Sequence, residues 1–379
     1  MDELTLGVVA TSSKEHEHRL PIHPRHVERI DADLRRRIFL ERGYGRLHGY
    51  ADDELAALVG GMRSREQLIA ECDVVTLPKP LHADVEGLRP GQVLWGWPHC
   101  VQDAELTQIG IDGRLTMIAW EAMNHWTRDG AFSLHVFHKN NELAGYCSVL
   151  HALQLRGTSG QFGPHLRAAV ISFGATARGA IAALLAFGVH EIAVLTNRSV
   201  PAVAAPMPPA RLVHYDRDAA RRLELVHPEQ GSLAEHLARY DIVVNCILQD
   251  TDDPLVFVTS AEVDLFQRGS LIVDVSCDEA MGFSWARPTT FAEPTFVVGD
   301  NVLYYAVDHS PSYLWNSATW EISEALLPFL RTVLTGPDAW EEDPTIRRAI
   351  EIRDGVIQNP AILTFQNRAP KYPHWPLAT

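Results

Sequence analysis

The sequence contains no run of about 18 uninterrupted apolar residues of the kind that crosses a membrane. It also lacks a basic leader: MDELTLGVVATSSKE carries Asp2 and Glu3 where a secretory signal needs positive charge, and its apolar stretch is strand-sized. Cysteine is scarce and dispersed. Cys72, Cys100, Cys147, Cys246 and Cys277 are odd in number, form no C-x-x-C pair and lie mostly in apolar segments. That pattern predicts reduced thiols, a cytoplasmic protein and no metal site. A basic surplus is missing as well. The 33 Lys and Arg stand against 48 Asp and Glu, a net charge of −15, which opposes attraction to phosphate backbones and anionic lipid. Nucleic-acid and membrane-surface partners are therefore not expected.

What is present is apolar. Hydrophobic residues make up 46% of the 379-residue chain, which at about 150 residues per domain is enough for two cores. LTLGVVA (4–10), DVVTLP (73–78) and LTMIAWE (115–121) read as short buried strands. Helical patterns at Pro24 to Arg37 and Ser64 to Glu71 lie between them, so the first third reads as α/β with a parallel sheet. A second series starts at Arg167, where RAAVISFGATARGAIAALLAFGVHEIAVLTNRS places strand, small-residue turn, apolar helix and strand in a βαβ unit. DIVVNCI (241–247) and GSLIVDVS (269–276) continue that sheet. The Pro- and Ala-rich stretch 199–222 reads as a surface excursion. Asn316 to Thr335 reads as an amphipathic helix, and the tail, with Pro360, Pro370, Pro373 and Pro376, as an irregular arm.

The turn after Arg167–Ile171 is a partial dinucleotide fingerprint. Ser172, Gly174 and Ala177 occupy its three small-residue positions, with Ala175 and Thr176 between the last two, so only the middle glycine is kept. That middle position is where backbone and pyrophosphate most need to approach. About 20 residues on, the next strand ends in Asn197, Arg198 and Ser199, where an NAD site usually carries Asp or Glu for the ribose 2′-hydroxyl. A guanidinium beside amide and hydroxyl donors suits a 2′-phosphate, so NADP(H) is favoured over NAD(H).

Three basic groups stand where strands of the first series end: Arg19 in HEHRLPIHP, Lys79 in VVTLPKP and His99 in LWGWPHC. Ligands of parallel sheets bind outside the carboxyl ends of strands, so these residues converge on a pocket for an anionic substrate. Arginine can grip a carboxylate bidentately, while a lysine and a histidine can exchange protons near neutral pH. Glu121, ending IAWE, either buffers that pair, holds a substrate amine, or is a surface carboxylate or local cap. His16, His18, His23 and His26 fit no zinc spacing and read as solvated loop histidines. Trp95 and Trp97 read as core or pocket wall.

These residues, in this order, resemble the alanine dehydrogenase and pyridine nucleotide transhydrogenase superfamily, which includes fungal-type saccharopine dehydrogenase and N5-(carboxyethyl)ornithine synthase. The resemblance spans roughly residues 5 to 330. Arg19 is similar to the arginine that binds the keto-acid carboxylate, and Lys79 and His99 fall on the catalytic lysine and histidine. The run His99, Cys100, Asp103 resembles saccharopine dehydrogenase. NNELAGYCSVLHAL (140–153) and the small-residue turn ending in Gly179 and Ala180 resemble carboxyethylornithine synthase. VDVSCDEA (273–280) resembles the segment beside the nicotinamide and puts Asp278 on its acidic position, while RPTTFAEPTF (287–296) is similar to an alanine dehydrogenase loop. VDHSPSYLWNSATWEISEALLPFL (307–330) is similar to the saccharopine dehydrogenase stretch that returns to the first domain. Pro80 replaces the Glu that members often carry after the lysine.

The resemblance implies an α/β fold of two Rossmann-like domains with parallel sheets and a cleft between them. Residues 1–137 and 306–379 would form a discontinuous substrate domain, and 138–305 a dinucleotide-binding domain. It implies hydride transfer at a carbon bearing nitrogen. The preferred version is opine-forming: the amine of an ornithine- or lysine-like amino acid condenses with a 2-oxo acid, and NADPH reduces the imine. Arg19 would then hold the oxo-acid carboxylate, Lys79 and His99 move protons, and Asp278 orient groups near the nicotinamide. The alternatives are an alanine-type dehydrogenase using ammonia and a catalytically silent nucleotide sensor. A homo-oligomeric state is left open.

Overall fold

The computed structural model describes residues 4–10, 12–197, 210–217, 223–226, 232–250, 253–300 and 302–377. The chain divides into two compact units, Met1–His138 with Trp315–Thr379, and Lys139–Leu314. The first unit opens with β1 (Leu6–Val8), β2 (Ile38–Glu41), β3 (Gly61–Arg63), β4 (Val74–Leu77), β5 (Val93–Gly96) and β6 (Thr116–Ala119). All pair in parallel, with β2 and β3 on one side of β1 and β4, β5 and β6 on the other. β4, β5 and β6 are buried at every position, as strands covered on both faces must be. The strand order reverses between β1 and β4, so the segments leaving β1, β4, β5 and β6 gather at one end of the sheet. The helical pattern expected over 24–37 is broken in two: a 3-10 turn, Pro24–Arg29, and one short helix, Ala32–Arg35, separated by Ile30, which is extended and buried.

The second unit begins with α1 (His138–Arg156), which starts at the unit boundary, and continues through β7 (Arg167–Ile171), α2 (Ala175–Ala186) and β8 (Glu191–Thr196). β9 (Arg211–Arg217) and β10 (Leu223–Leu225) follow, then β11 (Ile242–Asn245), β12 (Leu271–Asp274), β13 (Thr295–Val298) and β14 (Val302–Tyr305). The sheet order is β10-β9-β8-β7-β11-β12-β14-β13, parallel except where β10 and β13 pair at the edges. Residues 211–217, read from sequence as part of an excursion, are a strand beside β8. LVHYD carries the β-branched and aromatic residues a strand favours, which outweighs the Pro-rich composition before it. The rest of that stretch, 199–209 and 218–222, lies outside the described residues.

The chain then returns to the first unit. Residues 306–314, assigned by sequence to the first domain, cluster with the second. α3 (Trp315–Leu326) begins the expected amphipathic segment, which resumes at Leu330–Thr335 after a 3-10 turn over Leu327–Phe329 carrying Pro328. Ahead of the tail, β15 (Ile350–Arg353) pairs antiparallel with β6 and β16 (Val356–Ile357) pairs with β15; the tail itself, expected as an irregular arm, opens with a short helix, Pro360–Phe365, and is irregular beyond it. Pro360 opens that helix at its first position, where a missing N–H costs nothing, and Asn359 caps it. Among the described residues no helix is long and apolar enough to cross a membrane. All five cysteines are free.

α3 is fastened by histidines. His26 Nδ1 meets Ser323 Oγ at 2.8 Å, His23 Nε2 meets Asn316 Oδ1 at 3.3 Å, and the His26 and His48 rings pack edge-on against Trp320 and Trp315. His23 and His26 are therefore buried rather than solvated loop residues. Burial lowers His23 and takes His26 and His48 down to about 4. Their neutral forms belong to the fold, so the stability they contribute is full above the ordinary value near 6.5 and is lost as pH falls from there toward 4. Denaturant midpoints should thus decline between pH 6.5 and 4, and a His48→Phe variant should decline less steeply. Equal slopes would refute this origin.

Candidate active site

The segments leaving β4, β5 and β6 bring three of the sequence-singled residues together. Lys79 Nζ lies 2.8 Å from His99 Nε2. Glu121 Oε1 accepts the His99 backbone N–H at 2.6 Å and stands 3.8 Å from His99 Nδ1. His99 has φ +48°, a conformation a non-glycine residue holds only when its surroundings impose it, and this bond to Glu121 is one such constraint. Burial raises Glu121 to about 8, helped by the charge of Glu351 and opposed by Lys79. Glu121 is thus a partly buried carboxylate that braces the His99 backbone. Cys100 is fully buried, and Asp103 caps the helix Ala104–Asp112 while meeting His82 at 3.1 Å.

The loop carrying Lys79 is tied down by Asp84, a residue sequence reasoning missed. Its buried carboxylate accepts the backbone N–H of Leu81 at 2.9 Å and the Ser13 hydroxyl at 2.7 Å, and pairs with Arg65 at 3.0 Å. Ser12 Oγ donates to the Lys79 carbonyl. Arg19, after β1, is held by Glu17 through Nε at 2.8 Å and Nη2 at 2.5 Å, with both side chains sealed from solvent. Its guanidinium also lies 5.1 Å over the Trp97 ring. The Nε–Nη2 edge of this arginine is therefore already neutralised and closed to solvent. Trp95 and Trp97 are core residues, Trp97 packing at 4.8 Å on Trp120.

In the second unit the partial fingerprint has a definite geometry. Ser172 sits at φ +84° and donates its N–H to Leu195 at 2.7 Å, which turns the chain off β7. Gly174 precedes α2 without capping it, so the first-turn amides of Ala175, Thr176 and Ala177 face no side-chain acceptor from that position. A Cβ on Gly174 would meet nothing within 4 Å. Open space at an uncapped helix start fits a pyrophosphate. Ala177 is fully buried. Gly179 replaces the usual third glycine in effect, because a Cβ there would stand 1.7 Å from the Glu142 carbonyl of α1. Asn197 is exposed at the end of β8, and Arg198 and Ser199 lie outside the described residues. Gly174→Ala is expected to cost the fold under about 1 kcal/mol and to weaken nucleotide affinity about tenfold by loss of a close phosphate contact. Unchanged affinity by calorimetry would remove the turn from the site.

Asp278 follows β12, partly buried, and its carboxyl is raised by that burial. Its loop contains Cys277 and Ala280 at positive φ and is anchored by Asp274, which sequence reasoning missed. Asp274 accepts from Tyr304 Oη at 2.5 Å, Asn245 Nδ2 at 3.0 Å and the Cys277 N–H at 3.1 Å. Burial raises it to about 6. The signal was available: Asn245 and Asp274 are polar residues ending two otherwise apolar strands.

A Rossmann-like unit with an open phosphate turn, in one chain with a unit that pairs a lysine and a histidine at strand ends, defines a nicotinamide-nucleotide-dependent oxidoreductase. The chain belongs to the alanine dehydrogenase/PNT family, whose N-terminal domain matches residues 7–144 and whose C-terminal domain matches residues 168–360. It is an NAD(P)-dependent enzyme of the type acting on CH–NH bonds. The alanine dehydrogenase of Mycobacterium tuberculosis (strain ATCC 25618 / H37Rv) is 24% identical over 374 residues, covering 94% of this chain and 95% of that protein. The N(5)-(carboxyethyl)ornithine synthase of Clostridium botulinum is 23% identical over 319 residues, covering 82% and 88%. Among solved structures, an L-alanine dehydrogenase superposes with a TM-score of 0.75 at 20% identity over 96% of this chain and 99% of that one, which establishes the fold. A transhydrogenase from Sinorhizobium meliloti gives 0.69 at 20% identity over 94% and 99%.

Proposed function

We propose that the protein interconverts a small amino acid with its 2-oxo acid and ammonia, using NAD(P)(H). The observation that carries this reading is the Lys79–His99 pair at 2.8 Å, backed by Glu121. Similarity to alanine dehydrogenases along nearly the whole chain moves this reading ahead of the opine-forming one. The bound nucleotide supplies the hydride acceptor and donor. Lys79 and His99 hold one proton between them and exchange it with the oxygen of the adduct formed as water replaces nitrogen. Arg19, fixed by Glu17 and Trp97, orients the substrate carboxylate, and Asp278 positions the carboxamide end of the nucleotide. At the ribose, a strand end with Asn197 and no Asp or Glu supports NADP(H) over NAD(H). Five dispersed free thiols, four of them buried, support work in the cytoplasm.

Reductive condensation with an ornithine- or lysine-like amine is the second reading. Similarity to the carboxyethylornithine synthase, together with NNELAGYCSVLHAL at the head of α1, favours it. One experiment separates them: pyruvate or 2-oxoglutarate is supplied with ammonia, ornithine or lysine, and oxidation of NADPH and of NADH is followed. Oxidation with ammonia alone supports the first reading, whereas oxidation that requires the amino acid amine overturns it in favour of the second.

A further inference from the structure

The loops that leave β4 and β5 carry Lys79 and His99, and polar ties between them bracket that pair. On the sheet side, Trp97 donates its N–H to the Pro78 carbonyl at 2.9 Å. Beyond Lys79, at the first position of the helix His82–Val85, His82 Nε2 lies 3.1 Å from Asp103 Oδ1 and 3.3 Å from its Oδ2. His82 Nδ1 lies 3.1 Å from Glu105 Oε2. Asp103 is itself bound to the loop of His99: its N–H donates to the His99 carbonyl at 2.9 Å, and its Oδ1 accepts the Leu106 N–H at 2.8 Å. Along both loops, the Lys79–His99 contact at 2.8 Å therefore stands between a backbone tie and a side-chain tie. Such a bracket has a use, because Lys79 reaches its partner through a flexible stem and His99 keeps a positive φ that its surroundings impose.

We propose that His82 is a positioning residue: by bridging to Asp103 it fixes the spacing of the two loops, and with it the distance between Lys79 and His99. The role rests on the reading of those two residues as the proton-transfer pair. A protonated imidazole donates from both ring nitrogens, here to Asp103 and to Glu105, and hydrogen bonds between charged groups are the stronger kind. The bond to Asp103 raises the His82 pKa above its ordinary value, with the charges of Asp103, Glu105 and Glu86 adding to the rise and desolvation opposing it. At 34% and 33% exposure, the His82 and Asp103 side chains are too wet for their pairing to add much stability, so its effect lies in where it holds the backbone. The Lys79 loop is thus held from two sides. Asp84 binds it to Ser13, after β1, and His82 binds it to the loop of His99.

The test pairs kinetics with histidine nitrogen-15 NMR of the full-length protein without substrate, the His99 Nε2 resonance being assigned by its loss in His99→Gln. Misplacing a reacting group by about 1 Å can cost about 10²-fold, so His82→Ala should lower kcat about tenfold or more while the urea midpoint and nucleotide affinity hold. In that variant the His99 Nε2 resonance should move by more than its linewidth. His82→Gln also removes the ring charge but places an N–H donor against Asp103. It should return the resonance to its wild-type position and kcat to within about threefold of wild type. Recovery in the glutamine variant reports loop position rather than charge. An unmoved resonance or unchanged kcat in His82→Ala, no recovery in His82→Gln, or a kcat that falls only with a lowered urea midpoint would overturn the proposal. Failure of every oxo-acid and amine pair to oxidise NAD(P)H would sink the functional reading instead, and the substrate-free resonance would still decide the tie.

Discussion

Replacing Lys79 with methionine is expected to lower turnover about 10²- to 10⁴-fold while nucleotide affinity stays within about twofold. Lys79 stands on the first unit, whereas the open turn at Gly174 belongs to the second, so the two measurements report on different elements. At 2.8 Å from His99 Nε2, the ammonium and the imidazole form one proton-holding unit. His99→Gln should therefore cost about as much as Lys79→Met, and the double variant little more than either, since groups that act together are strongly non-additive. Steady-state rates in both directions and calorimetric nucleotide binding on the three variants check this. Undiminished turnover in either single variant would refute the assignment, and additive losses would mean that the two residues serve separate steps.

The legibility of this site follows from sheet topology. Lys79, His99 and Glu121 were visible because each ends a short apolar strand, and parallel strands deliver such ends to one edge whatever their separation in sequence. Gly174 was visible for the same reason in the second unit. The supporting residues were not. Glu17 is one acid in HEHR, and nothing in that string says that the chain will fold its carboxylate onto Arg19 two residues on. Asp84 anchors two loops at once, which is a property of the tertiary contact and not of HADV. The strand Ile350–Arg353 was not legible either, because its antiparallel pairing with β6 joins segments more than 230 positions apart. Of the histidines near Arg19, His23 and His26 were not legible as buried, because a loop sequence does not reveal that a later helix, α3, will cover them.

Removal of the Glu17 carboxylate is expected to destabilise the first unit by about 3–5 kcal/mol, because it takes a bidentate anionic partner from the Arg19 guanidinium in a site closed to water. The two side chains are 0% and 2% exposed, and their contact is bidentate, Nε at 2.8 Å and Nη2 at 2.5 Å. Glu17→Ala should show the loss as a lowered urea midpoint. Glu17→Met combined with Arg19→Met should recover most of it, since an apolar pair of similar volume carries no uncompensated charge and keeps the packing on Trp97. Activity should separate from stability in that double variant. If Arg19 orients the substrate carboxylate, the refolded double variant should have a KM for the oxo acid raised about tenfold or more, a loss of about 1.4 kcal/mol of binding. Arg19→Lys should fall between, because an ammonium keeps the charge without the planar fork. A double variant that regains both stability and KM would make the Arg19–Glu17 pair a structural strut, with the substrate carboxylate held elsewhere.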